Sequence, residues 1–130
     1  MIIIPEEWFV VFKKKSQTPW VNWIPGRFKH CFAMAFVPEL QCWLFVEFAF
    51  KSGTAVALLP NAHADAWLGE ACEDAVVVGI HAGMARGVGL GLWCVPAIAH
   101  IIGLNSCALR PDGLFRDCLR NGGRVIIPGD

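Results

Sequence analysis

Three residues carry the side chains and settings needed for covalent chemistry: Cys94, His30 and Glu47. Cys94 opens an apolar stretch to Leu104 that reads as a helix, with Pro96 tolerated in the first turn and Gly103 near the end. A thiol at a helix N-terminus lies where unpaired backbone N–H groups and the positive end of the helix dipole stabilise a thiolate. Such a nucleophile needs an imidazole to share or accept its proton, and a third polar group to hold the ring in one tautomer. His30 and Glu47 meet that specification. Glu47 stands alone within Trp43-Leu44-Phe45-Val46-Glu47-Phe48-Ala49-Phe50, where an unpaired buried carboxylate is costly, so a partner is implied.

The elements that must position these groups follow from local patterning. Residues 28–36 and 41–50 are β-like runs separated by Val37-Pro38-Glu39-Leu40, so a hairpin is expected. With 37–40 as the loop, Met34 faces Trp43, Phe32 faces Phe45 and His30 faces Glu47. The alternative is an edge strand with Glu47 in solvent, which would put Trp43 and Phe45 on the wet face as well. Further strands are expected over Trp8–Phe12, Thr54–Leu59, Val76–Ile80 and, as an edge, Arg124–Ile127. A helical turn is expected after Thr18-Pro19, a helix from Asn61 to about Cys72 with Asn61 as cap, and another opened by Pro111 and closed by Gly122-Gly123. At 100° per residue, Cys94, Val95, Ala97, Ile98, Ile101 and Ile102 share the inner face of the Cys94 helix, with Pro96, Ala99 and His100 outside. The sum is one α+β domain over residues 1–130, a small antiparallel sheet with the Cys94 helix packed on it.

Composition sets the outer bounds. The chain has 130 residues, 55% hydrophobic and 17% charged, with 11 Lys+Arg against 11 Asp+Glu. That length supports one core, and the apolar fraction excludes disorder. A net charge of zero, with no basic block longer than Lys13-Lys14-Lys15, argues against nucleic-acid binding. Met1-Ile2-Ile3-Ile4 lacks the basic region of a signal peptide, so the six cysteines are expected as reduced thiols. No CxxC or HxxxH pair suggests zinc, and no cofactor is implied. Gly87 to Leu109 has no charged residue, yet its glycines, Pro96, His100 and Asn105 break it, so a buried loop and helix is expected rather than a membrane span.

Other residues have narrower claims. Trp20, Trp23 and Trp93 flank the candidate residues in sequence and could line a substrate groove, against the alternative of core or partner contact. His81 ends a strand and is the rival of His30, without a carboxylate on its own strand. His63 and Asp65 form an H-x-D whose spacing does not put both on one helix face. Cys31, Cys42, Cys72, Cys107 and Cys118 read as buried or half-buried thiols.

The segments Arg27-Phe28-Lys29-His30-Cys31-Phe32, Trp43 to Glu47, Trp93-Cys94-Val95 with Ile102-Gly103-Leu104, and Leu109 to Arg116 together resemble the circularly permuted papain-like (NlpC-type) thiol hydrolases, especially small ones of tailed phages and bacteria. The His strand precedes the Cys helix, as in the permuted branch. The resemblance implies Cys94 as nucleophile, His30 as base and then acid, and Glu47 as the orienting group. It also implies an acyl-enzyme route on an amide, as in peptidoglycan stem peptides, or on a lipid ester. The oxyanion hole is assigned only to the Cys94 backbone N–H. The rival expectation is a non-enzymatic phage structural protein with its aromatics committed to neighbours in the virion, and either reading places the chain in host cytoplasm or the particle.

Overall fold

The computed structural model describes residues 5–16, 19–49, 53–81 and 94–129. Trp93, Thr18, the N-terminal Met1–Ile4 and the glycine-rich segment before the Cys94 helix lie outside the described residues. The β-branched and aromatic runs form β1 (Glu7–Lys13), β2 (His30–Val37), β3 (Cys42–Ala49), β4 (Gly53–Pro60), β5 (Ala75–His81) and β6 (Arg124–Ile127). They make one antiparallel sheet in the order β4-β3-β2-β1-β5-β6, with β6 an edge as expected. The helices are α1 (Asp65–Ala71), α2 (Cys94–Ile101) and α3 (Pro111–Arg120). The fold class is therefore α+β, and no helix among the described residues is long and apolar enough to cross a membrane.

Alternation along the strands gives the sheet two apolar faces. Val10 and Phe12 of β1, Cys31, Ala33 and Ala35 of β2, Val46 of β3 and Val76 and Val78 of β5 meet Val95, Ile98 and Ile102 of the α2 region and Leu114 and Cys118 of α3. The opposite parity, including Val11, Phe32, Met34, Phe45 and Val77, meets Leu68 and Ala71 of α1. Short side chains at Ala33 and Ala35 bring α2 close to the strand that carries His30. Ala99, expected outside with Pro96 and His100, is instead buried, because α2 touches α3 as well as the sheet.

Several boundaries differ from local expectation for identifiable reasons. The β2–β3 turn occupies Pro38–Gln41, with Gln41 at φ 52°, so the ladder runs Val37↔Cys42 to Ala33↔Val46. This register is two residues away from the expected one: Phe36 faces Trp43 and Met34 faces Phe45. An even slip preserves which residues share a face. β2 begins at His30 rather than residue 28, because the backbone N–H groups of Arg27 and Phe28 donate to Asp112 Oδ2 and Oδ1 at 2.8 and 2.7 Å. The helix expected from Asn61 is a 3₁₀ turn, Asn61–His63, followed by α1. Asn61 does not cap it; its Oδ1 accepts from Trp43 Nε1 at 3.2 Å. At the end of α2, Gly103 at φ 72° closes a Schellman motif, Leu104 N–H donating to Ala99 O at 2.9 Å and Gly103 N–H to His100 O at 3.1 Å.

Candidate active site

His30 opens β2 across from Lys13, the last residue of β1, so its ring sits at one end of the sheet. Continuing the ladder sets Glu47 across from Phe32, one side-chain position inward from His30 on the same face. Diagonal neighbours on a pleated surface are within reach of long side chains, and His30 Nε2 lies 2.8 Å from Glu47 Oε1. The expected pairing thus forms diagonally rather than directly across. The His30 side chain is 20% exposed and that of Glu47 51%, so the contact is a sheltered ring held by a carboxylate at the surface.

Cys94 is the first residue of α2, whose first-turn N–H groups have no acceptor within the helix. It is half-buried, packs against the cluster that contains Cys31, and stands in electrostatic contact with both Cys31 and His30. Hydrogen bonding from the Cys31 thiol, then from His30, together with the charge of His30 and the Cys31 backbone N–H, outweighs burial and holds the Cys94 thiol down at about 5. Burial alone would push the His30 ring down, but hydrogen bonds and charge from Cys94 and Glu47 raise it to about 9. The hydrogen bond from His30 lowers the Glu47 carboxyl against the opposing effect of burial. Between those limits the favoured state is a thiolate beside an imidazolium whose other polar contact is a carboxylate. That is the arrangement from which a sulfur attacks a carbonyl and a ring returns a proton to the leaving group.

Cys31 is the residue that sequence reasoning missed. It was expected as a buried thiol and it is fully buried, but it also keeps its proton: hydrogen bonding to Cys94, burial and the charges of Cys94 and Cys118 all push its pKa far up. Its odd position in β2 puts it on the α2 face while His30, one residue before, lies at the strand end. That adjacency was the available signal. Cys31 therefore acts with His30 in holding the Cys94 thiol down. Cys31→Ala is expected to raise the midpoint of Cys94 ionisation by about one pH unit and Cys31→Ser, which keeps a hydroxyl donor, by less. Ultraviolet thiolate absorbance against pH checks this, and identical midpoints for wild type and Cys31→Ala would remove Cys31 from the site.

The rivals separate by position. His81 pairs with Glu7 at one end of β1 and His30 with Lys13 at the other, a separation of about 20 Å along the strand. Glu7 approaches Arg124 at 3.6 Å. His81 therefore cannot serve a sulfur beside His30. His63 and Asp65 are exposed, at the end of the 3₁₀ turn and the start of α1. Trp20 and Trp23 lie in the 3₁₀ turn Pro19–Trp23, 54% and 87% exposed. That turn is fixed by Asn22, which accepts from Ser16 N–H at 2.8 Å and donates to Ser16 O at 3.0 Å. Cys118 is buried and pushed up to about 12 by burial and the neighbouring Asp117. All six cysteines are free thiols. Among the described residues no group of three or more His, Cys, Asp and Glu is arranged to hold a metal ion.

No known family, curated protein or solved structure matches this chain.

Proposed function

We propose that this chain is a cysteine hydrolase of the permuted papain-like kind, acting on an amide bond such as that of a peptidoglycan peptide. The observation that carries the reading is an imidazole, His30, held by Glu47 Oε1 at 2.8 Å and electrostatically linked to a half-buried thiol at the first position of α2. In this mechanism the Cys94 thiolate adds to the substrate carbonyl carbon, and the oxygen that becomes negative is received by the backbone N–H at the start of α2. The tetrahedral intermediate collapses as the His30 imidazolium gives its proton to the leaving amine, which breaks the C–N bond and leaves a thioester on Cys94. Neutral His30 then takes a proton from water as the water oxygen attacks that thioester. Collapse releases the carboxylic acid and restores thiolate and imidazolium. Glu47 keeps the ring in the tautomer that faces the sulfur. Trp20 and Trp23 are the proposed substrate-contact residues, both presented at the surface.

Competitive labelling at pH 6 tests this assignment. Iodoacetamide followed by peptide mapping is expected to modify Cys94 about tenfold faster than the exposed Cys107. The large thiolate fraction of Cys94 at that pH outweighs the lower intrinsic nucleophilicity of a low-pKa thiolate. Equal labelling of the two would instead favour a non-enzymatic structural role in a virion. Turnover of muropeptides against acyl esters, with Cys94→Ala as the blank, then distinguishes the amide substrate from a lipid ester.

A further inference from the structure

The segment 24–28 leading into β2 is clamped against the N-terminus of α3, and the clamp leaves an open groove of about 790 Å³. That volume is in the range of small-ligand sites. Arg27, Arg110 and Arg116 surround it, and Phe28 and Phe115 form part of its walls. The one carboxylate in the lining is Asp112, and both of its oxygens are taken by the backbone N–H groups of Arg27 and Phe28. The next carboxylate on α3, Asp117, accepts from Ser106 Oγ at 2.6 Å, which helps hold the segment forming the far side of the groove. Among the described residues none of the three guanidiniums forms an ion pair.

Two of the guanidiniums are nonetheless held in place. Arg27 lies over the Phe28 ring, 4.8 Å from its centroid, and Arg110 Nη1 donates to Pro25 O at 3.3 Å. Arg116 extends beside Gly113, its Nη2 3.9 Å from where a Cβ on that glycine would stand, and Ala108 Cβ lies 3.2 Å from the same point, so a side chain there would crowd the groove wall. In a protein of zero net charge, three arginines line one concavity whose only carboxylate is engaged by backbone N–H groups. Guanidinium forks match phosphate and carboxylate oxygens, and aromatic walls shelter an attached apolar body.

The geometry points to an anion-binding site in this groove, taking a small molecule that carries a phosphate or carboxylate group on an apolar body. The site stands independently of the chemistry at Cys94. The anion engages Arg110 and Arg116 from the α3 side and Arg27 from the β2 side.

The test is a titration of the full chain, at fixed ionic strength, with inorganic pyrophosphate and separately with citrate, followed through the amide resonances of Gly26 and Gly113. The expected result is saturable shifts with at least one of the two. The better ligand tells phosphate from carboxylate recognition. Arg110→Gln and Arg116→Gln should each weaken binding about tenfold, as loss of one charged hydrogen-bonding partner does. Arg124→Gln, which removes the same charge at the β6 edge, should leave it unchanged. Shifts that do not saturate with either anion, or that weaken equally in all three variants, overturn the site. Unchanged amide dispersion in the variants separates a lost site from a lost fold.

Discussion

Replacing His30 with Asn will cut the low-pH reactivity of Cys94 about tenfold. In the wild-type chain the thiolate forms as pH rises through about 5 and its imidazolium partner persists until about 9. The sign follows from the two protons. Below the lower limit the sulfur carries its proton and is inert, and above the upper limit the ring loses the proton it must donate. Turnover is therefore expected to be bell-shaped between those limits, and labelling to plateau between them. Without the ring, only Cys31 is left to oppose burial, so ionisation moves up from about 5 toward that of an ordinary thiol at about 8.5. At pH 6 such a thiol is about 0.3% ionised. Its greater intrinsic nucleophilicity offsets part of that loss, so labelling falls by about tenfold. Turnover should fall further, by about 10² to 10⁴, because the proton donor is gone as well. A labelling profile for His30→Asn that still rises near pH 5 would show that the sulfur owes nothing to this ring.

The largest expected loss of stability comes from Asp112→Ala. Its carboxylate accepts two backbone N–H groups across the fold, from Arg27 at 2.8 Å and Phe28 at 2.7 Å. These bonds place the Phe28 ring between Phe12 and Phe115, with centroids 5.3 and 5.2 Å away. Removing the carboxylate leaves the partly buried Phe28 N–H without its acceptor and frees the segment that precedes His30. A loss of about 2–4 kcal/mol is expected, since hydrogen bonds to charged groups exceed neutral ones and an orphaned donor is costly. For a domain of this length that lowers the melting temperature by about 10 °C. Asp65→Ala, at the exposed start of α1, is the control and should change stability by no more than about 0.5 kcal/mol. Equal melting temperatures for the two variants would mean that the clamp contributes nothing.

Local patterning was enough to single out Cys94, His30 and Glu47, though not the part that Cys31 plays beside them. The apolar face of the Cys94 helix, the 28–50 hairpin and the lone acid in an aromatic strand all come from periods of 3.6 and 2.0 that neighbouring residues impose on one another. The hairpin register was not legible, because it depends on Gln41 adopting a left-handed conformation inside a turn that begins at Pro38 rather than Val37. Its error was two residues, and parity kept His30 and Glu47 on one face despite it.

What the amino-acid order determined by itself was which side chains share a face: Glu47 with His30, and Cys31 with the residues that meet α2. Only the tertiary structure decided what those faces touch. Sheet order put β1 between the strands of His30 and His81, at opposite ends, and so excluded one imidazole. Packing of α2 on β2 set Cys94 against both His30 and Cys31, and Asp112 reached back across 84 residues to pin the approach to β2. Periodicity acts between residues a few positions apart and can be read along one dimension. These contacts arise when distant segments close over a common core, and no residue's neighbours in the chain specify which distant segment it will meet.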